Sequence, residues 1–391
     1  MEQKSKIGIV VSFVILMALV LVLSPISMKL WGEKPPKAPV RQDVVFQEGM
    51  TVADFGKANQ LPNPVLKEVF GLASKEDLQR KVTDFKYSRE QIVTRAKKIS
   101  AIEGEESSKN WAKIFAKFAF WFVFLGIVFF LVRRRKVTFR NRRWVLLSGV
   151  VLFGIILGSD PSPMGTVKDA IGLFAKSGVI FPPRMIALTV FLILVFVANK
   201  FICTWGCQFG TLQDFIFRLN RDSKDRKGIF RQFKPSFAFS NTVRIVFLGV
   251  FVLVAFLWKV DFIEFIDPFK TYNPGKIILA GGIFIGAVSV ASLFIYRPWC
   301  HFFCPFGLVG WIVEKKSLFK VKVDYNTCTA CDACVKACPS TVMEAILKQN
   351  RVTPDCFACA TCIETCPTDS IHFASGKRTK PPAGKFDKKQ G

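Results

Sequence analysis

Apolar residues along this chain gather into six runs separated by polar stretches. The first spans Ile7 to Leu23 and the second Trp111 to Val132, with later ones at about 144–158, 184–202, 242–260 and 276–297. Runs that are apolar on every side read as membrane helices rather than amphipathic ones. Several are short: sixteen residues reach only about 24 Å, against a hydrocarbon core of about 30 Å. An adjacent pair folding as a re-entrant hairpin would leave the sidedness unchanged. The first run follows a Lys-bearing start, and SPISMKLW offers no A-x-A cleavage pattern, so it reads as an uncleaved anchor over 1–30.

Residues 33–110 are polar and hold neither Cys nor His. TVADFGKANQLPNPVLKEVFGL and KEDLQRKVTDFKYSREQIVTRAKKI have amphipathic helical spacing, with Thr51 and Ser88 as N-caps. A small helical domain is expected, and a structural linker stays open. Runs three and four enclose GSDPSPMG and end in FICTWGCQFG, while runs five and six enclose FIDPFKTYNPG and end in RPWCHFFCPFG. That is a two-fold internal repeat whose halves enter from the same side, a parallel repeat.

Composition agrees with a membrane protein: mean hydropathy is +0.33, 51% of residues are apolar and 41 are Phe. The net charge of +26 would suggest nucleic acid in a soluble protein. Here the basic residues flank the apolar runs instead, as orientation signals do, so no nucleic-acid partner is expected. RRRKVTFRNRR carries seven basic residues in eleven, and RLNRDSKDRKGIFRQFK is again basic, whereas the loops at 159–183 and 260–275 are not. By the positive-inside rule both termini face the cytoplasm and 33–110 is extracytoplasmic.

All 12 Cys lie in four motifs, a pattern of metal ligation in a reducing compartment rather than of a disulfide framework. CTACDACVKACP and CFACATCIETCP are successive C-x2-C-x2-C-x3-C-P motifs, in which the fourth Cys of each reaches the other cluster. Cluster one is expected on Cys328, Cys331, Cys334 and Cys366, and cluster two on Cys356, Cys359, Cys362 and Cys338. Zinc sites lack this doubled tail. Cys203 with Cys207, and Cys300 with Cys304, are i, i+4 pairs expected to share a helical face at the cytoplasmic ends of their spans. The repeat brings them together as a candidate third redox or metal site, against a reading as packing residues. His301 beside them reads as interfacial packing, and Asp160 and Asp267 as turn initiators or proton carriers. The 2 His, His301 and His372, leave no bis-His haem, and C-x-x-C-H is absent, so no haem is expected.

The expected fold is mainly α: about six transmembrane helices plus a small α+β two-cluster bacterial-ferredoxin-like domain. The parts are an anchor (1–30), the helical domain (33–110), a bundle with both C-x3-C motifs (111–315), the cluster domain (318–375) and a basic disordered tail (376–391).

The order of spans, CTWGCQFG, RPWCHFFCPFG and two ferredoxin motifs resembles the NapH- and NosR-type membrane iron–sulfur proteins over about residues 140–375. The resemblance implies two [4Fe–4S] clusters, a bacterial inner (cytoplasmic) membrane location, and a quinol dehydrogenase or oxidoreductase subunit. Its partners would be lipid, quinone or quinol, and a cytochrome or reductase. Gln208 stands where the family often has Pro, and 33–110 is too short for the NosR flavin domain and lacks its attachment signature. The resemblance is therefore closer to NapH, with no covalent flavin. No expected extracytoplasmic segment holds Cys or His, so electrons leaving on that side need quinol or a partner's cofactor. A CcoG-like accessory protein that reduces or handles a metal for another enzyme is the alternative; no Met- or His-rich tract accompanies the thiols.

Overall fold

The computed structural model describes residues 5–31, 44–47, 49–107, 109–222, 224–350 and 352–386. Three helices are long and apolar enough to cross a membrane: α1 (Lys6–Leu30), α5 (Trp111–Arg133) and α11 (Phe237–Trp258). Each starts at a polar cap whose side chain accepts from a first-turn amide: Ser5 from Gly8, Asn110 from Lys113 and Ser236 from Phe239. They leave Val14, Val22, Phe115, Val123, Ile127 and Leu253 exposed, as a lipid-facing surface requires.

The other three expected spans do not form full-length membrane helices. α6 (Phe139–Gly149) runs on as a π-helix from Val150 to Ile156. There Gly154 leaves room for the Tyr272 ring, which a Cβ would meet at 2.3 Å. α8 (Pro182–Ala198) has 17 residues and α12 (Leu279–Ala291) 13, the latter reaching only about 20 Å. α8 stops at Asn199, whose φ of 57° departs from helical values. Three long and three shorter helices thus occupy the six apolar runs.

The polar segment forms α2 (Val52–Asn59), α3 (Asn63–Phe70) and α4 (Arg89–Ser107) around Phe55, Leu66, Val69, Phe70 and Ile92. Thr51 and Ser88 cap as expected, accepting from Asp54 N at 3.1 Å and Gln91 N at 3.3 Å. The segment is tied to the bundle through buried Glu105, 2.7 Å from Arg184. The loop at 159–183 contains α7 (Pro163–Ser177), which packs on α8, α11 and a later helix over Pro305–Glu314.

After α9 (Phe201–Trp205), α10 (Gln208–Leu219), α13 (Pro298–Phe302) and α14 (Pro305–Glu314), the chain enters a small α+β unit. Strand β1 (Phe319–Val323) pairs antiparallel with β2 (Ile371–Ser375), enclosing α15 (Ala333–Ala337), α16 (Val342–Leu347) and α17 (Thr361–Thr365). Phe129 of α5 packs edge-on against Phe319 and Phe373, seating the sheet on the bundle. The tail expected as disordered from 376 returns to this unit. Arg378 donates to the Val321 carbonyl at 2.9 Å, and Phe386 meets Tyr325 at 6.0 Å. Residues 387–391 lie outside the described residues.

Candidate functional site

The two C-x2-C-x2-C loops have the same backbone shape. Ala330 and Asp332 in the first, and Ala358 and Ala360 in the second, take φ of 53°, 55°, 50° and 64°. A non-glycine residue there costs about 1–2 kcal/mol. Such strain is kept where it has a use, and turns of this kind form concave nests of amides that receive anions. One cavity is lined by Cys328, Cys331, Cys334 and Cys366, and a second by Cys338, Cys356, Cys359 and Cys362. Each cavity draws cysteines from both motifs. Among the described residues no three His, Cys, Asp or Glu side chains converge closely enough for a single metal ion. A cube with one cysteine at each iron does not ask them to, since its thiolates stand around a body. Hydroxyls near three of the sulfurs add hydrogen bonds: Thr361 to Cys359 at 3.4 Å, Ser340 to Cys338 and Thr368 to Cys366 at 3.7 Å. Burial pushes the Cys334 thiol up to about 12, so ligation must displace its proton.

The C-x3-C motifs differ from expectation. Neither pair lies on one continuous helical face. Cys203 sits in α9 and Cys207 is the N-cap of α10; Cys300 sits in α13 and Cys304 is the N-cap of α14. In both, the amides of the last two residues turn back on one carbonyl. Gly206 and Cys207 bond Ile202 O at 2.9 and 2.8 Å, and Phe303 and Cys304 bond Trp299 O at 2.9 and 3.0 Å. The helix breaks there, so the second cysteine starts a new helix. The four thiols are buried and close enough to influence one another's charge. Within one turn of chain, Thr204 and Trp205 donate to the carbonyls of Phe357 and Ala358 at 2.5 and 3.3 Å, while Gln208 donates to Pro161 O at 3.4 Å. The first motif thus bridges the second cluster loop and the turn before α7.

Buried ions surround this junction, and the motif reading missed them. Asp355, next to Cys356, pairs with Lys200 and with Arg244 at 3.1 Å; Asp214 pairs with Arg297 and Arg218, both at 2.6 Å. Arg297 also donates to Cys203 O at 2.7 Å and Arg244 to Cys300 O at 3.3 Å. Their signal in the sequence was a charge inside or beside an apolar run, which is rarely idle. His301 is buried against Phe357 and Tyr296 at 5.4 and 6.2 Å, the packing role read for it. Asp267 caps a short 3-10 turn, accepting from Phe269 N at 2.9 Å. It also joins Asp169, Asp261 and Glu264 around buried Lys168.

A further cavity of about 460 Å³ lies between α5, α7 and α8. Phe118, Phe122, Ile186 and Val190 form its apolar wall, and Asp169 and Arg184 its polar end.

Comparison with known proteins agrees with this layout. The family described as "4Fe-4S dicluster domain" matches residues 320–367, and "4Fe-4S binding domain" matches twice, at 180–227 and 277–324, each time over one C-x3-C motif. YccM of Escherichia coli, named for electron transport, is 29% identical over 167 residues, 40% of this chain and 46% of its own. The ferredoxin-type protein NapH of Haemophilus influenzae is 26% identical over 257 residues, 60% of this chain and 80% of its own. An uncharacterized protein of Methanocaldococcus jannaschii is 26% identical over 155 residues, 39% of this chain and 56% of its own. The chain thus spans about half the length of the first of these relatives. No solved structure matches it. With cluster-binding domains, apolar helices and these relatives together, the chain is a NapH-like membrane iron–sulfur protein related to electron-transport proteins.

Proposed function

We propose that this chain oxidises a membrane quinol and passes the electrons through two [4Fe–4S] clusters to a redox partner. The observation that carries the reading is the contact of Thr204 and Trp205 with Phe357 and Ala358, which joins the membrane half to the second cluster loop without intervening chain. Cys328, Cys331, Cys334 and Cys366 hold one cluster, and Cys338, Cys356, Cys359 and Cys362 the other. When bound, such clusters take up and release single electrons.

The 460 Å³ cavity suits a quinol head group: its walls are apolar and its polar end offers Asp169 and Arg184. Oxidation of quinol to quinone releases two electrons and two protons. Asp169 lies 3.3 Å from Lys168, around which Asp261, Glu264 and Asp267 offer carboxylates for those protons. Pro161, on the cavity wall, accepts from Gln208 beside Cys207, which brings the cavity against the thiol site. The basic loops 133–143 and 218–234 face the cytoplasm of a bacterial inner membrane, with the cluster domain beside them and the 44–107 unit on the opposite side. A cytochrome or reductase with its own cofactor is the partner there.

The test is quinol-analogue oxidation in membranes carrying the chain, with Ala187→Phe filling the cavity. Turnover should fall at least tenfold while dithionite-reduced EPR spectra stay unchanged. Wild-type turnover in this variant removes the cavity from the reading. Thiol-dependent metal reduction with no quinol turnover by the unmodified chain removes the reading itself.

A further inference from the structure

We propose that Arg218, acting through the Thr361 hydroxyl, raises the reduction potential of the second cluster, the one whose ligands are Cys338, Cys356, Cys359 and Cys362. The inference rests on that ligand assignment and not on the nature of the electron donor. Three observations carry it.

The first is a relay of hydrogen bonds. Arg218 Nη1 and Nη2 both lie 3.3 Å from Thr361 Oγ1, and that oxygen lies 3.4 Å from Cys359 Sγ. A guanidinium only donates, whereas a hydroxyl has one hydrogen and two lone pairs. With Arg218 on the lone pairs, the single hydrogen is left for the sulfur, which as a thiolate ligand has none of its own. Thr361 and Arg218 each keep 1% exposure, so water does not compete for either bond.

The second is unbalanced charge. Asp225 accepts from Arg218 and, at 2.5 Å, from Arg142, and it lies 3.7 Å from Arg221. Asp214 pairs with Arg218 and Arg297. All four guanidiniums are buried. Among the described residues, the one other carboxylate paired with them is partly exposed Glu364, 3.0 Å from Arg142. Four cations against three carboxylates leave positive charge in a buried site, a costly arrangement unless another anion stands beside it. A [4Fe–4S] cube with four thiolates is such an anion, and the charge of Cys359 acts on both Arg218 and Arg221.

The third is that cations also reach the backbone leading to Cys338. Arg221 donates to the Ala337 carbonyl at 3.0 Å, one residue before that cysteine, and Lys234 donates to Val335 O at 2.9 Å. Cys338 and Cys359 both line the second cavity. At the first cavity the matching hydroxyl is Thr368, 3.7 Å from Cys366. Among the described residues its hydroxyl neighbour is Ser370, at 2.7 Å, rather than a guanidinium.

Reduction adds one electron and no proton to such a cluster, raising its negative charge by one. Hydrogen bonds to sulfur and nearby positive charge favour the more negative form and so raise the potential. Arg218 and Thr361 thereby favour an electron on the cluster whose loop meets Thr204 and Trp205 of the membrane half.

The test is an EPR-monitored redox titration of the full-length protein, purified in detergent without oxygen and reduced stepwise by dithionite with dye mediators. The signal that Cys338→Ala removes is that of the second cluster. Thr361→Val should make this cluster about tenfold harder to reduce, a fall of about 59 mV for one electron, and leave the first in place. Thr361→Ser, which keeps the hydroxyl, should restore the wild-type potential. An unmoved second signal in Thr361→Val overturns the proposal, as does an equal shift of both signals or a Thr361→Ser potential as low as that of Thr361→Val. Should Thr361→Val not retain its iron, Arg218→Lys decides the point: it keeps a cation for Asp214 and Asp225 but not the paired donation to Thr361. The second cluster should then be at least threefold harder to reduce, and an unmoved potential overturns the proposal. Loss of the first signal instead of the second in Cys338→Ala would count against the ligand assignment itself.

Discussion

The Thr204 hydroxyl donates a hydrogen bond to the backbone carbonyl of Phe357, although 153 residues separate them, and both residues are buried. Thr204 lies between the cysteines of the first C-x3-C motif and Phe357 between those of the second cluster loop. Trp205 repeats the contact one residue on, at Ala358. Electron transfer between two centres falls off steeply with distance, so a direct backbone contact at this point matters more than the length of chain around it.

Replacing Thr204 by Val keeps the shape and leaves a buried carbonyl without its donor, costing about 1–3 kcal/mol. The second cluster should be lost faster than the first under chelator challenge, followed by visible absorbance and EPR. Equal loss rates for both clusters would mean that the contact does not hold the loop.

Cys338 belongs to the first motif in sequence but lines the cavity of Cys356, Cys359 and Cys362. Cys338→Ala should therefore remove or convert the second cluster and spare the first. EPR showing only the first cluster damaged would refute the crossed ligation.

Asp355 lies between Lys200 and Arg244, all three at 0–1% exposure. Asp355→Asn would leave two buried cations short of a counter-charge, a loss of about 3–5 kcal/mol. Its melting temperature in detergent should fall by several degrees. The double variant Asp355→Leu with Lys200→Met should recover part of the loss, because it removes one of the two stranded charges.

Asp267 is buried beside Lys168, and burial outweighs that attraction, pushing its carboxyl up to about 6 from an ordinary value of 3.8. The folded state then binds its proton more tightly than the unfolded one. This group's contribution is fully present below pH 3.8 and is lost as pH rises through about 6, worth on the order of 3 kcal/mol. Chemical-denaturant curves between pH 4 and 7 should show that decline, and Asp267→Asn should flatten it. An unchanged slope in the variant would place the titration elsewhere.

Several features were legible because their cause is local. The spacing of Cys328, Cys331 and Cys334 and of Cys356, Cys359 and Cys362 is set by how a short loop wraps a cube, and the same sets line the two cavities. Thr51 and Ser88 were readable as caps because a cap acts within three residues. The helical face expected for Cys203 with Cys207 failed because i, i+4 spacing assumes an unbroken helix. Only the fold-back of Gly206 and Cys207 on Ile202 shows the break. α7 was missed because it is an amphipathic helix in a stretch read as a loop by the apolar runs on either side.

By itself the sequence determined that this is a membrane iron–sulfur protein, since apolar length and cysteine spacing are properties of short stretches of chain. Tertiary structure decided which distant parts meet: Thr204 with Phe357, Asp355 with Lys200 and Arg244, Arg297 with the carbonyl of Cys203. It also decided that α8 and α12 stop short. Those outcomes depend on which buried donor finds which acceptor across more than 50 residues, and no local pattern encodes that pairing.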